Sequence, residues 1–327
     1  MIDGRMLVLL TLCVPIAHAC AAPMYDSGDP VPERAHGDPD GAPGGKTDIY
    51  GSDDRLEWYE TDVDVRAVAE VTGLLVQAAG LVELAHGAFE LDTVPLSEQY
   101  ELCDEERFLQ QPVPRTAVCT AFLVAPDIAI TAGHCISSRD CADRRIVLGY
   151  RAQLDGSTPT IVDATRVFSC AEVLARRLVY GADSVDDELP DYAVFRLDRA
   201  DAAFEAPALR RSGGIRVGEE LAIVGHPLGL PLKVAAGARV VRILPSGMAV
   251  TDLDAYGGSS GSPVIAVESG EIVGLLSFGS RDFDVRDSEE SGWCRRSRTC
   301  TEVDASGLCI GQGLTPLSAA LALAPAP

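Results

Sequence analysis

The chain has 327 residues, of which 47% are hydrophobic and 23% are charged. This composition is typical of a globular protein that is long enough to bury one large core or two smaller ones. Its formal net charge of −22 argues against a nucleic-acid or an anionic-membrane partner, because both require a basic surface.

The N-terminus has the pattern of an export signal. Arg5 precedes an apolar run over residues 6–17, and Ala17-His18-Ala19 places small residues at positions −3 and −1 of a cleavage site. The run is too short to span a bilayer, and no later stretch reaches the roughly 18 apolar residues that a transmembrane helix needs. We therefore expect a signal peptide over residues 1–19, no transmembrane helix and an exported protein.

Cleavage after residue 19 leaves Cys20 at the new N-terminus. A cysteine there resembles the acylated cysteine of bacterial lipoproteins, although Ala17 stands where that class prefers Leu. Ten cysteines less Cys13 of the signal leave nine, an odd number for an oxidising compartment. Acylation of Cys20 would leave eight, enough for the four disulfides that export favours. A lipid anchor at the bacterial cell envelope and plain secretion with one spare thiol both stay open.

Residues 20–47 predict a flexible tether or pro-segment. Positions 26–45 hold five Gly, four Pro and four Asp, with almost nothing to bury. Such a composition cannot offset its own ordering entropy. We expect the folded domain to begin at about residue 48.

Short apolar or β-branched runs separated by turn residues predict strands from about residue 115 onward. A hairpin is predicted from Pro263–Val267 and Glu271–Phe278, which flank a Ser-Gly turn. The stretch 65–91 is ambiguous between helix and buried strand, and 317–323 predicts a short terminal helix. Many short strands without alternating helices indicate an all-β barrel or sandwich. The other predicted strands are 118–124, 127–131, 145–149, 191–197, 221–225, 238–244 and 248–251.

Two motifs carry the chemistry, Thr131–Cys135 around a histidine and Gly257–Pro263 around two serines. Nucleophilic hydrolysis needs an imidazole to take a hydroxyl proton and backbone N–H groups to bind the developing oxyanion. The second motif also satisfies Gly-x-Ser-x-Gly with Ser259 as nucleophile, but that pattern requires a histidine after the serine. No histidine follows Ser259, which leaves the order His134, an acid, then Ser260.

The best acid is Asp191, which opens the apolar run to Leu197. With it, the motifs resemble the trypsin-like serine peptidases of the chymotrypsin fold, and within them the bacterial branch that includes the V8-like glutamyl endopeptidases. Cys119 and Cys135 match the family's disulfide beside the histidine loop. The resemblance covers roughly residues 48–320. It implies an all-β domain over 48–325 with two antiparallel six-stranded β-barrels, at about 100–200 and 212–315, and a short C-terminal helix.

The resemblance also implies a role for each residue. Ser260 attacks the scissile carbonyl, His134 takes and returns its proton, and Asp191 orients the imidazole. The N–H groups of Gly258 and Ser260 form the oxyanion hole. The neighbouring acidic pair at 186–187 offers alternatives for the acid.

Three positions bear on activation and specificity. Ser259 stands where animal trypsins carry the Asp that pairs with a newly cut N-terminus, so activation must differ. Asp254, six residues before the nucleophile, lies at the floor of the primary pocket in this fold and would favour Lys or Arg side chains. Alternatively it caps its own loop, since Tyr256 replaces the cysteine that flanks that pocket in trypsins. Leu276 replaces the family's glutamate-binding histidine, which disfavours a glutamate preference.

The segment Ser277-Phe278-Gly279 resembles the family's strand that pairs with the substrate backbone. An insertion over 280–309 follows it and carries Cys294, Cys300 and Cys309. We expect a disulfide-stapled loop near the substrate. The pairing of the six remaining cysteines has fifteen solutions that sequence cannot separate.

We predict an exported serine endopeptidase, monomeric, that acts on proteins or peptides. The resemblance implies no metal and no organic cofactor. Two alternatives stay open. One is a surface-anchored lipoprotein that kept the fold for binding and lost turnover, and the other is a peptidase held inactive by its N-terminal segment until that segment is cut.

Overall fold

A computed structural model describes residues 49–179, 185–279, 281–288, 292–304 and 309–323. The predicted signal peptide, the tether 20–47 and Cys20 lie outside these residues. Of the helices in the described ranges, none is long and apolar enough to cross a membrane.

Six antiparallel strands form the first barrel, in which the last strand pairs with the first. Most of their side chains are buried, in agreement with the apolar runs of the sequence. In spatial order the strands are Arg144–Leu148, Val167–Arg177, Tyr192–Leu197, Ile128–Thr131, Ala117–Ala125 and Thr72–Gln77.

The second barrel also has six antiparallel strands, closed by pairing between Glu220–Gly225 and Lys233–Ile243. A seventh strand, Arg55–Glu57, adds to the outside of Lys233–Ile243. The predicted fold of two antiparallel six-stranded barrels is confirmed. In spatial order the strands are Glu220–Gly225, Pro263–Ala266, Ile272–Phe278, Gln312–Pro316, Ala249–Thr251 and Lys233–Ile243.

The ambiguous stretch 65–91 contains both kinds of element. It begins as the short helix Arg66–Val71 and continues as the strand Thr72–Gln77. This strand closes the first barrel, so that barrel starts well before the expected residue 100. The reason is tertiary: Thr72–Gln77 finds a hydrogen-bonding partner strand on each side, whereas a helix of a few turns has little stability of its own.

The remaining elements are short. Three strands form a separate sheet, two pairs form hairpin-like ladders, and Ile49–Tyr50 pairs in parallel with Thr299–Cys300. The strands are Leu81–Leu84, Ala88–Leu91, Ile161–Asp163, Thr93–Pro95, Pro112–Pro114, Phe283–Ser288 and Gly292–Ser297. The other helices are Leu96–Tyr100 and Leu317–Leu321, and single 3₁₀ turns lie at Ala78–Gly80, Cys141–Asp143, Ala164–Arg166, Val185–Asp187 and Pro227–Gly229.

The largest hydrophobic core fills the first barrel and extends to one side of the second. Phe122 and Phe195 are buried at its centre, and Leu275 and Leu317 join it from the second barrel. Burying a side chain of this size stabilises the fold by about 1.5–3 kcal/mol. This shared core holds the two barrels against each other and fixes the cleft between their loops.

Four disulfides connect the described cysteines. Cys119 pairs with Cys135, the pair that the resemblance implied. The expected stapled insertion contains the hairpin Phe283–Ser288 and Gly292–Ser297. One bridge ties this hairpin to the segment ahead of the first barrel's later strands. The other three bridges are Cys103–Cys294, Cys141–Cys170 and Cys300–Cys309.

Candidate active site

The histidine loop follows the strand Ile128–Thr131 and packs closely against the strand that carries Asp191. Gly133 permits this approach, because a Cβ there would lie 2.2 Å from Arg177 O and 2.6 Å from Asp191 Oδ1. Any larger residue would push the two loops apart. The glycine of the histidine motif is therefore explained by its contact with the acid.

Asp191 and His134 are joined by two hydrogen bonds. His134 Nδ1 lies 2.6 Å from Asp191 Oδ2, and His134 N donates to Asp191 Oδ1 at 3.2 Å. Both side chains are largely buried, with 20% and 13% of their surface exposed. This pairing orients the imidazole and stabilises its protonated form. Asp186 of the alternative acidic pair instead forms an ion pair with Arg242.

The backbone of Asp191 is held by two hydroxyl groups. Thr315 Oγ1 accepts from Asp191 N at 3.1 Å, and the Thr315 and Ser277 hydroxyls lie 2.5 Å apart. Ser277 Oγ is also 3.5 Å from Asp191 O. The sequence analysis missed Thr315, which comes from a strand more than 120 residues away with no local motif.

The serine loop lies directly against the histidine loop. Ser260 O accepts a hydrogen bond from Thr120 N at 2.9 Å, and Cys135 Sγ lies 3.8 Å from the same oxygen. A Cβ on Gly261 would fall 2.2 Å from Thr131 Oγ1. Ser260 is half-buried, and its hydroxyl makes no hydrogen bond to His134 within the described chain. Catalytic contacts of this kind tighten when substrate binds.

The backbone at Gly258 and Ser260 presents two N–H groups that could bind an anion. Within the described residues neither group donates to an acceptor, whereas the alternating N–H groups at 257, 259 and 261 each do. Gly258 has a φ of +88°, and a Cβ there would lie 2.8 Å from His226 O. Only glycine fits this conformation without strain. The arrangement could stabilise the oxyanion of a tetrahedral intermediate.

Asp254 binds the N-terminal segment of the domain. Its carboxylate accepts from Tyr50 N at 2.7 Å and from Asp54 N at 2.8 Å. Burial raises the pKa of Asp254 to about 7, and Asp54 and Asp53 raise it further by like-charge repulsion. This resembles the loop-capping alternative, except that the capped segment is 50–54. Binding of a basic substrate side chain by Asp254 stays a prediction.

The predicted substrate-pairing segment ends the strand Ile272–Phe278. Ser277 is buried on the side of Asp191, and Phe278 packs over Gly313, where a Cβ would lie 2.0 Å from the ring. Gly279 follows, after the last strand residue. Pairing of this segment with a substrate backbone stays a prediction.

His226 is a structural residue of the neighbouring loop. It is fully buried, its Nδ1 lies 2.9 Å from Leu230 O, and its ring stacks on Tyr150 with centroids 6.1 Å apart. Burial lowers the pKa of His226 to about 3. The imidazole is therefore neutral at ordinary pH.

One group of residues in the described chain has the proximity of a metal site: Cys119, His134 and Cys135. The two cysteines are bonded to each other, so neither offers the thiolate that binds a metal. His134 is bonded to Asp191. The donor set therefore does not fit a metal ion.

Two closed antiparallel barrels, with a His–Asp pair and a glycine-flanked serine on adjoining loops, define a chymotrypsin-like fold. The trypsin-like peptidase domain family matches residues 119–275. The chain carries this domain and belongs to the trypsin-like peptidases.

Two solved structures are similar at low identity. A Glu endopeptidase in complex with MPD is 15% identical, with 76% of this chain and 94% of that chain covered and a TM-score of 0.41. The inactive form of the Rv3671c protease is 14% identical, with 66% and 81% covered and a TM-score of 0.36. No curated protein matches the chain.

Proposed function

We propose that this protein is an exported serine endopeptidase, with Ser260 as nucleophile, His134 as general base and acid, and Asp191 as the group that orients the imidazole. The observation that carries the proposal is the 2.6 Å contact between His134 Nδ1 and Asp191 Oδ2 in a domain of this family. Protein or peptide substrates follow from the family.

In the proposed acylation step, Ser260 Oγ bonds to the scissile carbonyl carbon while His134 Nε2 takes the hydroxyl proton. The carbonyl π electrons move to oxygen, and the N–H groups of Gly258 and Ser260 bind the resulting oxyanion. The intermediate then expels the amine, which takes the proton from the imidazolium. Water, activated by the neutral imidazole, hydrolyses the acyl-enzyme in the same way.

Asp191 acts on this sequence through the imidazole. Because Asp191 Oδ2 accepts the Nδ1 proton, the other ring nitrogen stays free to take a proton from serine. The second oxygen holds the backbone of the histidine loop, which limits rotation of the ring away from Ser260. Thr315 and Ser277 support this geometry by holding the Asp191 backbone.

A fluorophosphonate probe tests the proposal, because it labels only an activated serine. We expect the mature chain and its Ser259→Ala variant to be labelled, and Ser260→Ala and His134→Ala to be unlabelled. Ser259→Ala is the matched control, since it removes the adjacent hydroxyl. Labelling retained in Ser260→Ala, or lost in Ser259→Ala alone, would refute the choice of nucleophile.

The same experiment separates the alternatives. A folded wild-type chain that stays unlabelled, with and without residues 20–47, is the result expected of a binding protein and would overturn the proposal. Labelling that appears only after removal of 20–47 identifies a peptidase held inactive by its N-terminal segment.

Export and anchoring form a separate part of the proposal. Four disulfides among the described cysteines are typical of an oxidising compartment, which supports the signal peptide over 1–19. Anchoring at Cys20 is tested by fractionation of cells that express the full chain. If Cys20 is acylated, Cys20→Ala moves the protein from the membrane to the soluble fraction, and an unchanged distribution excludes the anchor.

A further inference from the structure

The proposed oxyanion hole works only if the peptide group between Gly257 and Gly258 points in the right direction. In a trans peptide the C=O and the N–H of one unit point in opposite directions. A group that holds Gly257 O on one side therefore directs Gly258 N–H to the other side. Ser259 stands where animal trypsins carry an Asp, so this chain must hold its loop by other contacts.

The carbonyl of Gly257 is held by the loop that contains Leu228. Leu228 N donates to Gly257 O at 2.6 Å. Leu228 is buried and has a φ of +57°, which is unusual for a residue with a branched side chain. Its loop is fixed by a hydrogen bond from Gly229 N to His226 O at 3.0 Å. The unusual backbone of Leu228 thus aims its N–H at the serine loop.

The other side of Gly257 is held by Asp282. Gly257 N lies 3.2 and 3.1 Å from the two carboxylate oxygens of Asp282. The contact leaves little room, because a Cβ on Gly257 would lie 3.0 Å from Asp282 Oδ2. Together with the Leu228 contact, this fixes the backbone on both sides of the Gly257 Cα.

Asp282 is itself firmly placed by the insertion. Arg298 N donates to Asp282 O at 3.0 Å, and Phe283 packs against Tyr256 with ring centroids 5.6 Å apart. The hairpin that follows Asp282 is tied down by the Cys103–Cys294 disulfide. The insertion therefore has a rigid attachment at the point where it meets the serine loop.

We propose that Asp282 is a positioning residue for the oxyanion hole, and that the disulfide-stapled hairpin serves to hold it there. Asp282 fixes Gly257 N while Leu228 fixes Gly257 O, which leaves Gly258 N–H directed away from both. This inference rests on the proposed function, since it concerns the same site. Asp282 contacts neither Ser260 nor His134 among its observed partners, so it acts through the backbone alone.

The carboxylate's role here is to accept a hydrogen bond, and its negative charge is not required. An oxyanion hole gains nothing from a nearby negative charge, because like charges repel. Asp282→Asn keeps one carbonyl oxygen as acceptor and removes the charge, so it should retain activity. Asp282→Ala removes the acceptor and frees Gly257 N to rotate.

The test compares Asp282→Ala, Asp282→Asn and Asp284→Ala on a peptide substrate that the wild type cleaves. Asp284→Ala is the matched control, because its carboxylate is on the same hairpin, more than half exposed, and paired with Arg298. Losing one oxyanion donor typically lowers kcat by about 10²–10³. We expect Asp282→Ala to lower kcat about 10- to 100-fold with KM changed by less than about threefold.

A peptide aldehyde supplies the readout that a merely structural role would not move, since its adduct with serine carries the oxyanion. In Asp282→Ala its affinity should fall by the same factor as kcat/KM, while the pH profile of kcat/KM keeps its shape. Asp282→Asn and Asp284→Ala should stay within about threefold of the wild type. Near-UV circular dichroism checks the fold of each variant.

The inference is refuted if a folded Asp282→Ala keeps wild-type kcat, or if aldehyde affinity is unchanged while kcat falls. If Asp282→Ala does not fold, Gly257→Ala disturbs the same contact from the other side, and unchanged kcat in that variant is likewise a refutation. A wild type that no fluorophosphonate labels is a different outcome, which refutes the proposed function itself.

Discussion

The carboxyl group of Asp254 gives the protein a pH-dependent stability with a sign that can be worked out. Asp254 is buried, accepts two backbone hydrogen bonds from the segment 50–54, and has Asp53 and Asp54 nearby. Burial raises the pKa of Asp254 to about 7 from a usual value near 3.8. Arg55 is also buried in this region, but it is paired with Asp53.

Between about pH 4 and pH 7 the folded chain holds a proton on Asp254 that the unfolded chain has lost. Unfolding therefore releases a proton, and the free energy of unfolding falls as the pH rises through this range. One pKa unit corresponds to about 1.4 kcal/mol, so the full effect is at most about 4 kcal/mol. Asp254→Asn cannot titrate and loses this dependence.

Urea unfolding at pH 5 and at pH 8 measures the effect, in a Ser260→Ala background that prevents self-cleavage. We expect the stability of Asp254→Asn relative to its parent to increase from pH 5 to pH 8 by on the order of 2–4 kcal/mol. His226 has the opposite sign, because its lowered pKa makes the fold less stable as the pH falls below about 6.5. Since both proteins contain His226, the difference between them cancels its contribution.

Asp252→Asn is the matched control, because it introduces an amide two residues away at a half-buried carboxylate that accepts from Arg239 N. If the difference between Asp254→Asn and its parent is the same at pH 5 and pH 8, Asp254 is not a buried titrating group and the reasoning is wrong. The same holds if Asp252→Asn shows an equal change.

The remaining predictions concern the site and its supports. Gly258→Ala should lower kcat about 10²–10³-fold without unfolding the protein, since its Cβ would press on the carbonyl oxygen of the neighbouring loop; near-wild-type kcat would contradict this. Removing the Cys119–Cys135 bridge by a double Ala substitution should lower the free energy of unfolding by about 3 kcal/mol, measured by urea unfolding in the Ser260→Ala background. A peptide-library profile should be the same for Asp254→Asn and wild type, because both carboxylate oxygens bind the N-terminal segment, and a lost preference for Lys or Arg would instead place Asp254 in the substrate pocket.

The sequence by itself predicted the elements of the second barrel and most strands of the first, because their apolar runs are short, bounded by turns and buried in a regular pattern. Thr72–Gln77 escaped it, since that stretch has no alternation and becomes a strand only between two partners. The insertion was predicted as a stapled loop, but its hairpin and the partner of Cys294 depend on a segment 191 residues away.

The chemistry-bearing residues could be named from sequence because their motifs are local and their chain order excludes the esterase pattern. His134 and Asp191 were assigned in this way, and their side chains lie in hydrogen-bonding contact. The supports of the site carry no such signal. Thr315 and Asp282 act through backbone groups of distant loops, and a hydrogen bond to a backbone places no demand on the residues beside it in sequence.

Asp254 marks the boundary between the two kinds of information. Its distance from Ser260 is a property of the chain, and the sequence could place it near a pocket. What its oxygens bind is decided by the path of residues 50–54, which return to the second barrel after about 200 positions. Local sequence determined which reactive groups the protein has, and tertiary packing decided which of them are occupied by the chain itself, because burial and long-range hydrogen bonds arise only when distant segments meet.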